Sequence, residues 1–337
     1  MYNKVYHVYS LDNKNVRLKS SSGGVFAELS HLILKKKGIV YGVAYNGVTH
    51  TAYYTSTKEI PLEKLQKSKY IAPEVQNIYK EVVKDLKENK MVLFCGLPCH
   101  IAGLKNVVKM QCSNMIKNLY LVDFLCEGIP SPNVFQEYLT IQEKKFKSRS
   151  TNVDFRSKEY GWAPHCMKIY FQNGKIYVKP YFDDLFMSPF IDDLLFNRDC
   201  CYCCRFRENK KADITLGDFW KIKELSSKYS DNLGHSVVFL NTTKGEKLFD
   251  QLDDKEIFSE QLSEEQIPLA IQHVETNSKV DAKEKFFSCY LSDGYLRAIK
   301  QYSSLGNRKF IKRLKNIKYK IKLEVMRKKM KKENERR

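Results

Sequence analysis

The sequence predicts an α/β protein of mixed type: a parallel-sheet core of strand-turn-helix units, a smaller N-terminal α+β part and a helical C-terminal extension. Three observations carry this. Met91 to Cys95 is a short apolar run that turns through Gly96-Leu97-Pro98 into a helix holding Cys99, His100 and Leu104. Leu119 to Leu125 repeats the device, turning through Cys126-Glu127-Gly128-Ile129-Pro130 into a helix from Ser131 with Phe135, Tyr138 and Ile141 on one side. Apolar strands that each pass through a Gly/Pro turn into a helix build a parallel layer, whose ligands sit at the C-terminal edge. The third observation is antiparallel: Asn46-Gly47 and Asn173-Gly174 each stand between strand-like runs, a hairpin signal.

In chain order, Val5 to Tyr9 reads as a strand. Ser20-Ser21-Ser22-Gly23-Gly24 then leads into Val25, Phe26, Leu29, Leu32 and Ile33, a helix face with serines to cap it and Gly38 to stop it. A Ser/Gly turn entering a helix exposes backbone N–H groups and suits a phosphate; a capped surface helix looks the same. Ile39 to Tyr45 and Thr49 to Thr55 form the first strand pair. Pro73 to Lys90 reads as a helix through Val75, Ile78, Val82, Val83 and Leu86. Cys99, at the helix start, is expected to favour thiolate. Cys166 to Phe171 and Lys175 to Tyr181 flank the second hairpin turn, and Asp183 to Phe196 reads as a helix. Ser236 to Leu240 is a strand, Lys244 to Leu252 a helix, and Ser263 to Gln301 mostly helical. The expected organisation is 1–89, 90–250, 251–305 and a tail, 306–337.

With 337 residues, 43% of them hydrophobic and 29% charged, the chain can bury substantial cores. It holds no apolar run long enough to span a bilayer and its start has no signal-peptide character, so a cytoplasmic protein is expected. In a reducing compartment its ten cysteines are better read as metal ligands, reactive thiols or buried small residues than as disulfides. The net charge of +19 is uneven: Arg308 to Arg337 holds fifteen Lys and Arg against three Glu, so twelve of the nineteen charges lie there. Phe310, Leu314, Ile317, Ile321 and Val325 recur in that tail at helical spacing. A basic amphipathic helix either docks on its own domain or lies on an anionic membrane surface, at the inner membrane face. Nucleic acid is not the expected partner.

The densest chemistry is Cys200-Cys201-Tyr202-Cys203-Cys204, two overlapping C-x2-C pairs, followed by Asp213-Ile214-Thr215-Leu216-Gly217-Asp218-Phe219-Trp220. One pair supplies two thiolates, and a tetrahedral zinc or a four-iron cluster needs four ligands. Cys99 and Cys126 are the candidates for the remainder. Thiolates suit zinc and iron-sulfur alike, so ligand softness does not choose between them.

Six segments, in order, resemble the motif series of the coenzyme F-420 hydrogenase/dehydrogenase beta subunit family: Ser20 to Phe26, Cys95 to Leu104, Asp123 to Ser131, Phe155 to Trp162, Cys201 to Phe206 and Asp213 to Trp220. The resemblance covers about residues 5 to 250. It implies a protein that binds a 4Fe-4S cluster and FAD, with FMN as the alternative flavin, and passes electrons between them. It carries over Cys99, Cys126, Cys201 and Cys204 as cluster ligands. The expected flavin contacts are Ser21, Ser22, Gly23, Gly24, Gly96, Pro98, Arg156, Lys158, Trp162 and Asp218. Exposed strand charges are the plainer reading of Arg156 and Lys158. His100, Glu127 and His165 are weak candidate proton donors, each more simply a satisfied polar residue.

The chain departs from the family pattern at Leu97, His100, Glu127 and Lys221, positions beside the expected redox centres, so the family's substrate does not carry over. It has no cysteine before Cys95, whereas many relatives carry a ferredoxin-like segment; a ferredoxin or another redox subunit is therefore the expected partner, with a small-molecule acceptor. The expected function is an iron-sulfur flavoprotein oxidoreductase, and polysaccharide biosynthesis is a context in which similar chains occur. The alternative is a non-catalytic, metal-stabilised accessory protein docking to a membrane-associated assembly.

Overall fold

A computed structural model describes residues 4–271 and 280–307, together with 324, 325, 327 and 328. Its main feature is a nine-stranded mixed sheet. The strands are β1 (Lys4–Ser10), β2 (Ile39–Asn46), β3 (Thr51–Ser56), β4 (Pro73–Glu74), β5 (Val92–Cys95), β6 (Leu119–Phe124), β10 (Ile214–Asp218), β11 (Ser236–Leu240) and β12 (Ile257–Gln261). Their order across the sheet is β12-β1-β11-β10-β6-β5-β2-β3-β4. β7 (Ser150–Ser157), β8 (Cys166–Phe171) and β9 (Ile176–Pro180) form a separate antiparallel sheet. The stretches expected as 1–89, 90–250 and 251–305 each contribute strands to the large sheet.

The centre of that sheet is parallel, β2-β5-β6-β10, as the strand-turn-helix units predict. Its strands are apolar in succession because both faces are covered. Val92 and Phe94 of β5 pack with Ile78, Val82 and Leu86 of helix Ile78–Lys87 and with Ile101 and Leu104 of helix Pro98–Cys112. Leu93, between them in sequence, packs on the other face with Val25, Leu29 and Ile33 of helix Val25–Lys35. Fully burying one such side chain contributes about 1.5–3 kcal/mol. β11 is antiparallel to β10 and to β1, so β1 runs in the same direction as the parallel centre. The C-terminal ends of β1, β10, β6, β5 and β2 therefore share one edge, and the expected site segments that follow β1, β5, β6 and β10 emerge there.

Several local expectations are corrected. Helix Val25–Lys35 is capped by Gly24 in the left-handed region, φ 97°, with no serine side chain capping it; its stop places Lys37, not Gly38, at positive φ. The β2–β3 connection is longer than a two-residue turn, since Asn46 pairs with Thr51 and the left-handed residue is His50. Pro73–Glu74 adds a strand beside β3, and the following helix begins only at Ile78. Of the helix expected over Asp183 to Phe196, Asp183 ends a single 3-10 turn from Tyr181 and only Met187–Ile191 is α-helical. The buried Asp184 carboxylate explains its start: it accepts from Phe186 N and Met187 N and from the hydroxyls of Tyr138 and Tyr177. β12 was not expected at all. The Asn173-Gly174 hairpin stands as read, with Gly174 at φ 78°.

Helices Val280–Asp293 and Tyr295–Tyr302 pack Phe286, Cys289, Tyr295 and Ile299 into the core formed by helix Pro132–Phe146 and the small sheet. Phe310, Leu314, Ile317 and Ile321 of the tail stripe lie outside the described residues. Val325 is exposed, and Arg327 pairs with Glu159 at 2.9 Å, a contact of the tail with its own chain. No helix among the described residues is long and apolar enough to cross a membrane.

Candidate functional site

The two strand-turn-helix units and the four-cysteine segment meet at the shared edge. Cys99 is the second residue of helix Pro98–Cys112, Cys126 lies two residues beyond β6, and Cys201 sits in the four-residue helix Asp199–Tyr202. Cys99, Cys126, Cys201 and Cys204 line a single pocket with Pro98, Gly128, Ile129, Phe206 and Arg207. Leu97, Ile129 and Ala72 form its apolar wall. Gly128, at φ 136°, touches the Asn197 side chain so closely that a Cβ there would lie 2.4 Å from it. That residue has to be glycine for the turn to bring Cys126 inward. A separate open groove, lined by Lys80, Val83, Lys84, Lys87, Glu88 and Gln111, contains none of the expected residues.

Burial governs the thiols. It pushes Cys126 up to about 12 and Cys201 up to about 11, with neighbouring thiols adding to the rise. Cys99 is raised as well: desolvation outweighs the backbone N–H groups at the helix start, contrary to the expectation of a favoured thiolate. A positively charged metal centre reverses that balance, so binding one releases protons from these groups. The side chains do not converge on a point: among the described residues no group of three or more His, Cys, Asp or Glu is placed to hold a single ion.

Of the residues expected at the flavin, Pro98 lines the cysteine pocket, whereas Ser21, Arg156, Trp162 and Asp218 form a second cluster at the same edge. Asp218, at the end of β10, accepts two bonds of 3.0 Å from the Arg156 guanidinium and one of 3.0 Å from Trp162 Nε1. Arg156 also donates to Tyr70 Oη at 3.0 Å and to the Ser21 carbonyl at 3.1 Å. Arg156 is thus buried and ion-paired, not an exposed strand charge. Lys158 is buried too, and its ammonium donates to the carbonyls of Arg17, Ser22 and Leu233 at 2.6, 2.9 and 2.5 Å. Three bonds exhaust its donors. Lys158 therefore clamps the Ser/Gly turn and leaves no donor for a flavin phosphate.

The turn itself is packed into the protein. Ser21 Oγ faces Ser68 Oγ at 3.0 Å, Ser22 Oγ donates to the His235 carbonyl, and Gly23 N donates to Ser236 Oγ at 2.9 Å. A Cβ on Gly23 would lie 2.6 Å from the Val8 carbonyl, and one on Gly24 2.8 Å from Val16. Gly96 is held as tightly, its Cβ position 2.4 Å from Tyr54 Oη.

His100 Nδ1 lies 3.1 Å from Tyr54 Oη, and burial lowers its pKa to about 4. Burial raises Glu127, against the pull of Arg207 and with the push of Asp218. His165 stacks on Tyr181 with ring centres 4.7 Å apart and lies 5.9 Å from Trp220. Both its ring nitrogens are buried without a partner, as is Arg156 Nε. Trp162 and Trp220 stack face to face at 4.6 Å and 5°, with the Arg156 guanidinium 5.0 Å from the Trp220 ring.

Residues 67–72 carry no functional signal in the sequence, and they bind the two clusters together. Ser68 N donates to Ser21 Oγ, Tyr70 receives Arg156, and Ala72, like Cys99 and Cys126, packs against the cluster of Leu97, Ile129 and Cys201. They carry no motif; a polar loop before a helix is all the local sequence shows. Arg17 was missed likewise, a fully buried arginine joined to Asp231 at 2.6 Å.

A family model for the C terminus of the coenzyme F420 hydrogenase/dehydrogenase beta subunit matches residues 89–265, just over half the chain. All four pocket cysteines lie inside that span. The fold is similar to a chain of the F420-reducing NiFe hydrogenase complex from Methanosarcina barkeri, studied as a xenon derivative: TM-score 0.54, covering 85% of this chain and 93% of that one, at 16% identity. At that identity the likeness speaks for the fold alone. No curated protein sequence matches the chain.

Proposed function

Because this chain belongs to the coenzyme F420 hydrogenase/dehydrogenase beta subunit family, a family of oxidoreductases, we propose that it is an iron-sulfur flavoprotein. In this reading it passes electrons between an external redox partner and a two-electron acceptor. The observation that carries the proposal is the pocket walled by Cys99, Cys126, Cys201 and Cys204, thiols drawn from three separate segments. Four thiols around one pocket match the number of ligands that a 4Fe-4S cluster takes. When bound, a 4Fe-4S cluster supplies single-electron steps and FAD the two-electron step.

The chain's own residues have separable roles. Leu97, Ile129 and Ala72 exclude water from the thiols. For the flavin, the fit rests on the orphaned nitrogens of Arg156 and His165 beside the Trp162–Trp220 stack. Buried donors without partners are rare, and a bound group with acceptor atoms satisfies them. Asp218 fixes Arg156 and Trp162, while Lys158 holds the turn of Ser21, Ser22, Gly23 and Gly24. His165, neutral because burial pushes its pKa well below the usual histidine value, is the proton-handling candidate best placed by these contacts. Arg207 lines the pocket, and the segment around it carries the exposed Arg198 and Arg205 against the exposed Asp199 and Glu208, a mixed but net basic stretch that suits an acidic ferredoxin or redox subunit.

Anaerobic purification with iron, sulfide and flavin analysis tests the reading. We expect about four irons and about four sulfides per chain, bound flavin, and visible absorption that bleaches with dithionite. Cys99→Ser, Cys126→Ser, Cys201→Ser and Cys204→Ser should each strip most of the iron. A colourless protein with stoichiometric zinc would instead support a metal-stabilised accessory role.

A further inference from the structure

The segment Cys200 to Cys204 holds more thiols than the pocket uses. Cys201 and Cys204 line it, whereas Cys200 and Cys203 are exposed. Each spare cysteine is the chain neighbour of a pocket-lining one, Cys200 of Cys201 and Cys203 of Cys204, so the spare pair sits beside the pocket. Residues 201 and 202, between the spare cysteines, are both helical. Across one helical step of three residues the Cα atoms are about 5 Å apart, inside the roughly 4.4–6.8 Å over which a disulfide closes. Adjacent cysteines, at about 3.8 Å, fall outside that range. Cys200 can therefore close on Cys203 and not on Cys201.

We propose that Cys200 and Cys203 form a redox-active dithiol on the rim of the pocket, exchanging with external disulfides of anionic character. The proposal rests on the reading that Cys201 and Cys204 are held as ligands, which keeps them out of exchange. One thiolate of the pair attacks a sulfur of the external disulfide, breaks that bond and releases one thiol, leaving a mixed disulfide. The second thiolate attacks the protein sulfur of the mixed disulfide and releases the other thiol. The external S–S bond is replaced by a Cys200–Cys203 bond; the protein gives up two electrons and two protons, and the external disulfide takes up both. Arg198 and Arg205, exposed on either side of the pair, attract a negatively charged partner. The rim then carries a two-electron store outside the pocket, beside the proposed one-electron centre.

The test uses the whole protein, purified anaerobically and assayed for iron and sulfide before any oxidation. It is equilibrated with oxidised and reduced glutathione over a series of ratios, quenched in acid, alkylated and cut with trypsin after Arg198 and Arg205. The peptide from Asp199 to Arg205 contains all four thiols, and fragmentation shows which are joined. We expect two of its four thiols to escape alkylation through a Cys200–Cys203 link at oxidising ratios and to be alkylated again at reducing ratios, with iron unchanged. Cys200→Ser and Cys203→Ser should each abolish this protection and retain the iron. A Cys201–Cys204 link with loss of iron, glutathione left on one cysteine without an internal link, or no reaction at any ratio overturns the proposal. Protein without iron at the outset sinks the ligand reading beneath it, and the assay made before oxidation tells that failure from failure of the dithiol.

Discussion

At the scale of single residues, burial decides more than charge does. Asp123, in β6 three residues before Cys126, is fully buried; its Oδ1 accepts from the Thr215 hydroxyl and its Oδ2 has no partner. Desolvation raises its pKa from 3.8 to about 6, with Lys210 and Thr215 pulling the other way. The sign follows. As pH rises from about 4 to 6 the unfolded chain gives up this proton and the folded protein keeps it, which costs the fold on the order of 3 kcal/mol above pH 6. Asp123→Asn removes that cost, so urea unfolding should show the variant gaining stability relative to the parent between pH 4 and pH 7. A difference that stays constant over that range would mean that Asp123 ionises normally in the fold. The same competition explains Cys99: its place at a helix start is visible in the sequence, but the apolar wall of Leu97 and Ile129 is not.

At the scale of elements, the sequence is most legible where a pattern is local. β5, β6 and their helices are readable because apolar runs with Gly/Pro turns are complete within about fifteen residues, and the C-x2-C spacing is shorter still. β12 is not readable, because only Ile257 of its five residues is buried and its pairing with β1 comes from more than two hundred residues away. The Ser/Gly turn is a mixed case. Its place between strand and helix is readable, whereas the reason for its glycines is not: Gly23 N–H and C=O bond Ser236 Oγ and Ser10 N, which leaves no room for a side chain. Gly23→Val should therefore cost at least about 2–3 kcal/mol through overpacking and reduce flavin and iron together. Gly174→Ala, at an open hairpin turn with positive φ, should cost about 1 kcal/mol and spare both. Thermal melts with cofactor analysis separate the outcomes; loss of flavin alone in Gly23→Val would mean that the turn approaches a ligand rather than the sheet.

For the whole molecule, the histidines set the lower pH limit. Of the six in the described residues, burial lowers five: His7 to about 3, His100 to about 4, and His50, His165 and His235 in the same direction, while Glu28 raises His31. A folded pKa below the unfolded value near 6.5 means that the unfolded chain takes up protons first as pH falls. His7 and His100 alone then cost on the order of 5 kcal/mol by pH 4, comparable with the whole stability of a typical domain. This exceeds the opposing contribution of Asp123. The melting temperature should fall continuously from about pH 6.5 to pH 4, and a flat profile would show that the buried rings are charged in the fold. The stacked pair beside Arg156 has an optical consequence. Trp162 and Trp220 are the chain's only tryptophans, so all of its indole emission originates from one coupled chromophore at the edge of the sheet. Ultraviolet fluorescence is thus a label-free reporter of what occupies that edge, already built into the protein.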